Sequence, residues 1–157
     1  MTIDRDMLLK AYACGIFPMS DSREDTETFW VEPKTRAILP LDGLRVSKSL
    51  AKVIRQNRFT VTCDTAFERV ISLCAERTDE CGGTWINAEI EHAFIDMHAA
   101  GLTHSVECWA EIEGERQLVG GLYGLALGRA FFGESMFSRA TDASKVALAW
   151  LVARMRV

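Results

Sequence analysis

The densest concentration of unusual residues lies late in the sequence, where glycines stand among side chains that could do chemistry. Residues 120–124 read Gly-Gly-Leu-Tyr-Gly, and residues 133–138 read Gly-Glu-Ser-Met-Phe-Ser. Glycines weaken strands, so several in one hairpin predict a β-bulge or a place where a ligand approaches the backbone. Tight packing of the hairpin against a helix is the alternative explanation.

Two side chains near glycines are candidate functional groups. Glu134, between Gly133 and Ser135 at a predicted strand end, is better suited to binding or proton transfer than a glutamate on a solvated helix. A helix cap or an ion pair is the alternative role for a single glutamate. Trp85 lies in a predicted loop, where such a large aromatic ring needs cover. A stacked base would provide it, and so would the protein core.

A third feature is a cluster of positive charge. Between residues 34 and 58 the chain has seven Lys or Arg residues and one acid, Asp42, which is a local charge of +6 in a chain of net charge -4. Lys48, Lys52 and Arg55 share one face of a predicted helix and could follow a phosphate backbone. A solvated basic face balanced by acids elsewhere is the alternative.

Composition excludes several other classes of protein. The 157 residues are 48% hydrophobic and 25% charged, which is typical of one globular domain. The five cysteines and three histidines lack the spacing of a zinc site or a disulfide framework, so we expect reduced thiols, no metal and a cytoplasmic location. No apolar stretch approaches the ~20 residues that span a bilayer. Phosphate-loop, dinucleotide-binding and nucleophile-elbow motifs are missing, and His104, Ser105 and Glu107 cannot form a triad because they alternate along a strand.

Periodicity predicts the elements that would position these residues. Asp4, Asp64, Asn87 and Asp142 are predicted to cap helices, and alternation predicts strands over residues 58–63, with Phe59, Val61 and Cys63 inward, 104–112, 117–127 and 130–133. Helices followed by a strand meander and a last helix indicate an α+β fold with a mainly antiparallel sheet. Residues 1–44 are predicted to form a small N-terminal subdomain or lid, and residues 45–157 the main domain.

At these residues the sequence resembles the leucyl/phenylalanyl-tRNA protein transferases, bacterial aminoacyltransferases of the N-degron pathway. The resemblance covers nearly the whole chain in order, in linked blocks that are highly specific. The matching blocks are residues 8–12, 15–18, 30–40 with Arg36, 46–50, 83–86, His98 with Gly101, 104–107, 118–124, 133–138 and 143–145.

The resemblance implies a fold, a reaction and partners. The implied fold is a small N-terminal domain joined to an acetyltransferase-like (GNAT) domain. The implied reaction transfers Leu, Phe or sometimes Met from aminoacyl-tRNA to an acceptor protein that begins with Arg or Lys, without acetyl-CoA, nucleotide or metal. Because an aminoacyl ester is already activated, positioning would carry much of the rate.

The resemblance also implies residue roles. Trp85 would stack on the terminal adenosine of the tRNA, and Glu134 would bind the acceptor amine or orient the donor. The apolar amino-acid pocket would be shaped by Gly121, Leu122, Gly133, Ser135 and Met136, the flexible methionine suiting several side chains. The tRNA acceptor stem would lie on Arg45, Lys48, Lys52 and Arg55.

Two departures from the family pattern affect these expectations. The family has tryptophan after Phe-Pro where this chain has Met19, so one aromatic platform is lost or replaced by a thioether. The family also continues into a strand with an Asp-Cys-Gln motif that helps to deprotonate the acceptor amine. The chain is therefore expected to be a C-terminally truncated copy with weak or no transfer, its last strands missing and its sheet edge exposed. A binding module for charged tRNA and a different N-acyltransferase using acetyl-CoA are the alternatives.

Overall fold

The computed structural model describes residues 3–76 and 83–157 and shows a mixed α+β protein. Within these residues, three helices and three strands come before residue 76, and the other two helices and three strands follow residue 83. In chain order the elements are α1 (Arg5–Ala13), β1 (Phe17–Met19), β2 (Phe29–Val31), α2 (Lys48–Arg55), β3 (Thr60–Cys63), α3 (Phe67–Ala75), α4 (Ala88–Ala99), β4 (Thr103–Ile112), β5 (Glu115–Leu127), β6 (Ala130–Ser138) and α5 (Ala143–Met155).

The strands form two antiparallel sheets. The main sheet has the order β3-β4-β5-β6, and β1 pairs with β2 in a separate two-stranded sheet. This confirms the predicted α+β class and its antiparallel sheet. The β1–β2 pair was not predicted, because strands of three residues are too short to show alternation. The predicted loop at Gly82 falls partly outside the described residues.

Three helices begin at polar caps. Asp4 Oδ1 accepts a hydrogen bond from Met7 N, Ser47 Oγ accepts one from Leu50 N, and Asn87 Oδ1 accepts one from Ile90 N. Each bond satisfies a backbone N–H that has no partner within the helix, so the predicted caps at Asp4 and Asn87 are confirmed.

The predicted caps at Asp64 and Asp142 are wrong in detail. Helix α3 begins two residues later than Asp64 would require, with Ala66 at the cap position, and Asp64 instead accepts from the backbone of Ser105. Asp142 does precede α5, but its side chain makes no capping hydrogen bond and its backbone is left-handed, with φ 69°.

Two hydrophobic cores lie on opposite faces of the main sheet, because neighbouring residues of β5 point to opposite sides. The first core contains Tyr123 and Leu125 together with side chains of α1, α3 and α4. The second core contains Leu122 together with side chains of α2 and α5.

Two strand predictions need correction. β6 continues to Ser138 instead of stopping at Gly133, so Glu134 lies within a strand and not at its end. The inward orientation predicted for Cys63 is wrong, since Cys63 is exposed while Phe59 and Val61 pack against the second core. β3 is only four residues long, and a pattern that short does not reveal where burial stops.

Candidate functional site

Glu134 occupies a β-bulge between β5 and β6. Tyr123 pairs with Ser135 and Gly124 pairs with Gly133, which leaves Glu134 as the extra residue. A Cβ atom on Gly124 would lie 2.2 Å from the carbonyl oxygen of Phe132, so only glycine fits opposite this bulge. The bulge predicted from the glycines is therefore present, and it redirects a carboxylate.

Aromatic rings surround the bulge on the side of the first core. The Tyr12 ring contacts the Phe132 ring edge to face at 5.3 Å between centroids, and the Phe94 ring contacts Tyr123 at 5.4 Å. Tyr12 comes from α1, so the N-terminal helix supplies one wall of the site. Edge-to-face packing of this kind holds rings in defined orientations.

Burial sets the electrostatics of Glu134. Desolvation raises the pKa of its carboxyl from 4.5 to about 7, and the Tyr12 hydroxyl and the Arg36 guanidinium oppose that rise. Burial also raises the pKa of Tyr12 and Tyr123, with the Glu134 charge adding to both shifts. A carboxyl of this pKa changes its protonation near neutral pH, as a general base requires.

The two tyrosine hydroxyls near Glu134 are unusual. Among the described side chains, Tyr12 Oη and Tyr123 Oη are buried and have no hydrogen-bond partner of acceptable geometry. The Tyr12 hydroxyl and the Glu134 carboxyl nevertheless lie close enough together that each influences the titration of the other. Buried polar groups normally find partners, so this region is suited to a polar group of a ligand.

Trp85 lies in the loop before α4, as predicted, and its side chain is partly buried against the first core. Its carbonyl oxygen accepts a hydrogen bond of 3.1 Å from Ser20 N, directly after Met19. The side chain of Asn87 donates to Thr28 Oγ1 at 3.1 Å. These hydrogen bonds attach the Trp85 loop to the β1–β2 region. Met19 is the residue directly before Ser20, which makes one of them.

The structure separates the predicted pocket residues. Leu122 and Met136 are cross-strand partners and so share one face of the sheet. Leu122 is buried in the second core, whereas Met136 is 48% exposed. Ser135 pairs with Tyr123 on the other face. Leu122 and Glu134 are thus associated with different cores.

The glycines have different explanations. A Cβ atom on Gly121 would lie 2.7 Å from the Val106 carbonyl oxygen, and one on Gly120 would lie 2.5 Å from Ala143 Cβ. Tight packing therefore accounts for Gly120 and Gly121. Gly133 is different, because a Cβ atom there would meet nothing within 4 Å. Among these three glycines only Gly133 borders open space.

The predicted basic residues are exposed around α2. Leu50 and Val53 turn into the second core, which leaves Lys48, Lys52 and Arg55 on the solvent side, with Arg45 exposed just before the helix. None of these four cations forms an ion pair within the part of the chain that the structure describes. Their charge is therefore available to a partner.

Two surface cavities lie away from these residues. One of about 820 Å³ is bordered by the start of α1 and by Ala93 and Asp96 of α4. The other, about 440 Å³, lies among α3, α4, Leu118 and Arg139. Neither is lined by Trp85, Glu134 or Met136.

A buried acidic network was missed by the sequence reasoning. Glu107 is fully buried on β4 and accepts hydrogen bonds from Thr62 Oγ1 (2.6 Å), Thr65 Oγ1 (3.0 Å) and Ser105 Oγ (2.5 Å). Beside it, Asp64 Oδ2 lies 2.8 Å from His104 Nδ1. Strand alternation correctly separated His104 from Ser105. It could not show that the Asp64 corner would return to meet both residues.

The fold and site define an α+β protein with a redirected, buried carboxyl in an aromatic enclosure. Two family models match the sequence: the leucyl/phenylalanyl-tRNA protein transferase N-terminal domain over residues 1–34, and leucyl/phenylalanyl-tRNA protein transferase over residues 38–157. The chain therefore belongs to the leucyl/phenylalanyl-tRNA protein transferase family.

Individual proteins with the same family name are also similar to the chain. Over 98% of its length the chain is 60% identical to the leucyl/phenylalanyl-tRNA–protein transferase of Rhizorhabdus wittichii, covering 60% of that protein. It is 60% identical over 99% of its length to that of Zymomonas mobilis, covering 56%, and 55% identical over 99% to that of Rhodospirillum rubrum, covering 71%. The chain thus spans less than two thirds of the first two relatives. In the described residues no helix has the length and apolarity needed to cross a membrane.

Proposed function

We propose that the chain acts in the transfer of Leu, Phe or Met from aminoacyl-tRNA to the N-terminal Arg or Lys of an acceptor protein, marking it for degradation. The names of its relatives supply the reaction class. The observation in this chain that carries the proposal is the Glu134 bulge, which holds a carboxyl of pKa about 7 beside two buried tyrosine hydroxyls that have no hydrogen-bond partner among the described residues.

The chemistry needs little from the protein beyond placement. The acceptor nitrogen attacks the ester carbonyl, the carbon–oxygen bond to the tRNA ribose breaks, and the amine proton finally resides on the released ribose hydroxyl. The attacking amine must be neutral, and α-amino groups have pKa values near 8. A Glu134 carboxylate can accept a proton from that ammonium or hold the amine in line, which lowers the barrier through positioning and general base catalysis.

The donor end is assigned to the surfaces around this carboxyl. Trp85 stacks on the terminal adenosine, since its loop is tied to the β1–β2 region and its ring is only partly buried. Gly133 and Ser135, which flank Glu134 in the chain, line the amino-acid pocket, whereas Met136 and its cross-strand partner Leu122 lie on the face of the second core and are not part of it. Gly121 permits the close approach of β4 and β5 that this arrangement needs.

The remaining assignments follow the same proposal. The tRNA acceptor stem lies along Arg45, Lys48, Lys52 and Arg55, whose charges face solvent. Residues 1–44 act as an N-terminal subdomain and residues 45–157 as a GNAT-like aminoacyltransferase domain. The proposed location is the cytoplasm, where charged tRNA is found, and the ester substrate makes a cofactor unnecessary.

The donor site is tested by binding, which does not require transfer. The probe is adenosine carrying phenylalanine through a 3′-amide, a stable analogue of the charged tRNA end. Calorimetry should show saturable binding, weakened roughly 5- to 150-fold by Trp85→Leu, because a base–aromatic stack contributes about 1–3 kcal/mol. Trp150→Leu on α5 is the matched control and should bind normally. Equal affinities of both variants would contradict the assignment of Trp85.

Transfer is tested with Phe-tRNA and a peptide that begins with Arg. Mass spectrometry should detect a peptide heavier by one Phe residue, and Glu134→Gln should abolish the gain. Binding without any peptide extension would identify the chain as a charged-tRNA-binding module. Acetyl-CoA binding with acetylation of the peptide would replace the proposal with a different N-acyltransferase.

A further inference from the structure

Arg36 connects the two sheets through aromatic rings. It lies in the segment between β2 and α2, and its guanidinium carbon is 4.8 Å from the centroid of the Phe17 ring on β1. The same carbon is 5.9 Å from the centroid of the Phe132 ring on β6. A planar guanidinium stacks on aromatic faces in a way that an ammonium does not. One side chain therefore joins the small sheet to the strand that carries Glu134.

The contact reaches the bulge through Phe132. Phe132 precedes Glu134 by two residues, its carbonyl lies against Gly124, and its ring packs on Tyr12. Phe132 therefore connects the Arg36 contact to the strand segment that turns Glu134 out of the pairing. Among the described residues, Arg36 and Glu134 do not form an ion pair with a nitrogen–oxygen distance of 4 Å or less.

We propose that Arg36 is a positioning residue, which acts through Phe17 and Phe132 to hold the β6 bulge in the geometry that presents the Glu134 carboxyl beside Tyr12. This role rests on the proposed function of Glu134. Arg36 does not touch the reacting atoms in this scheme. It orients the residue that does.

The charge of Arg36 has a second consequence for Glu134. The groups that face this carboxyl are Tyr12 from α1, Tyr123 from β5 and Arg36 from the β2–α2 segment; Cys74 of α3 and Glu91 of α4 lie near Tyr123. Arg36 is the cation in this set, and it lowers the pKa of Glu134 against the effect of burial. Losing the cation should therefore leave more of the carboxyl protonated at neutral pH.

The test compares three variants by NMR without tRNA. Glu carboxyl carbons are titrated in the unaltered chain, Arg36→Met and Arg36→Lys, with Glu134→Gln to assign the signal. Backbone amide shifts of Phe132 and Ser135 report the bulge. Arg36→Met should raise the pKa of Glu134 above about 7 and shift both amides, whereas Arg36→Lys should restore the pKa but not the amide shifts.

Lys34→Met is the matched control, because it removes an exposed cation from the same segment without the ring contacts. It should change neither readout. The pKa difference between the unaltered chain and Arg36→Met should shrink in 1 M salt, since Arg36 is solvent-exposed and its charge is screened. Unchanged amide shifts in Arg36→Met would overturn the positioning role, and so would their full recovery in Arg36→Lys.

Failure of this inference is distinguishable from failure of the proposed function. Binding of the 3′-amide analogue is measured in parallel, and Arg36→Met should weaken it several-fold. If Arg36→Met binds the analogue as tightly as the unaltered chain, the inference is overturned and the proposed function stands. Altered NMR readouts without any analogue binding to the unaltered chain support the structural link from Arg36 to Glu134 and reject the proposed function.

Discussion

Tyr12 and Glu134 lie side by side although they come from opposite ends of the chain. The Tyr12 hydroxyl lowers the pKa of the Glu134 carboxyl, and the Glu134 charge raises that of Tyr12. The contact exists because α1 packs on the face of the main sheet from which the β6 bulge turns its carboxyl. A site composed in this way depends on both α1 and β6.

The first prediction concerns how stability depends on pH. Glu134 has a pKa of about 7 in the folded chain, raised from 4.5. Folding is therefore most favourable, as far as this group is concerned, below pH 4.5, and that advantage is lost as the pH rises through about 7. Glu134→Gln removes the cost of burying the charged carboxylate. Compared with the unaltered chain, this variant should therefore gain up to about 3 kcal/mol more unfolding free energy at pH 8 than at pH 5.

Urea unfolding at the two pH values measures this difference. Glu32→Gln is the control, because Glu32 is an exposed carboxylate whose replacement should have the same small effect at both pH values. A Glu134→Gln variant whose relative stability does not change with pH would contradict the raised pKa.

The second prediction concerns the buried acidic network. Glu107→Ala removes the acceptor of hydrogen bonds from three hydroxyl groups; Thr62 Oγ1 and Thr65 Oγ1 can still bond to each other, but the buried Ser105 hydroxyl loses this acceptor. A lost bond at a buried hydroxyl is costly, so the variant should lose about 1–3 kcal/mol of unfolding free energy. Glu111→Ala, an exposed position on the same strand, should lose less than about 1 kcal/mol in the same urea titration. Similar losses would show that the network is not stabilising.

The third prediction separates the glycines that pack from the glycine that borders open space. Gly124→Ala should prevent formation of the bulge, because its Cβ atom would lie 2.2 Å from the Phe132 carbonyl oxygen. Thermal unfolding should show a large loss of stability, several kcal/mol in magnitude. Gly133→Ala meets no atom within 4 Å and should fold almost normally.

Gly133→Ala also tests the proposed pocket. A methyl group projecting from Gly133 should weaken binding of the 3′-amide analogue while the melting temperature changes little. Unweakened binding in a stably folded Gly133→Ala variant would remove Gly133 from the binding surface.

The fourth prediction concerns the basic helix. Replacing Lys48, Lys52 and Arg55 together with glutamine should weaken tRNA binding and reduce the slope of log affinity against log salt concentration by about 2–3. Lys10→Gln on α1, also an exposed cation, is the control and should leave the slope unchanged. The slope is measured by filter binding between about 50 and 200 mM salt, a range over which phosphate contacts weaken strongly. An unaltered slope in the triple variant would place the tRNA elsewhere.

Local features of the sequence predicted the parts of this protein that depend on neighbours in the chain. The caps at Asp4 and Asn87 bond to N–H groups three residues away, and the strands β4 and β5 are long enough for alternation to be visible. Glycines inside the hairpin predicted a bulge or a ligand contact somewhere in it, and Gly124 does lie opposite a bulge, but the position of Glu134 within that bulge was not predicted. The exposed face of α2 followed from helical periodicity in the same way.

Only the tertiary structure decided which distant groups meet. Nothing local shows that Tyr12 and Arg36 would lie beside Glu134, that Leu122 would belong to the other core, or that Asp64 would bond to β4 instead of capping α3. These contacts form because the packing of the two sheets and the surrounding helices brings together residues that are far apart in the sequence. The charge state of Glu134 depends on that packing, since burial raises its pKa.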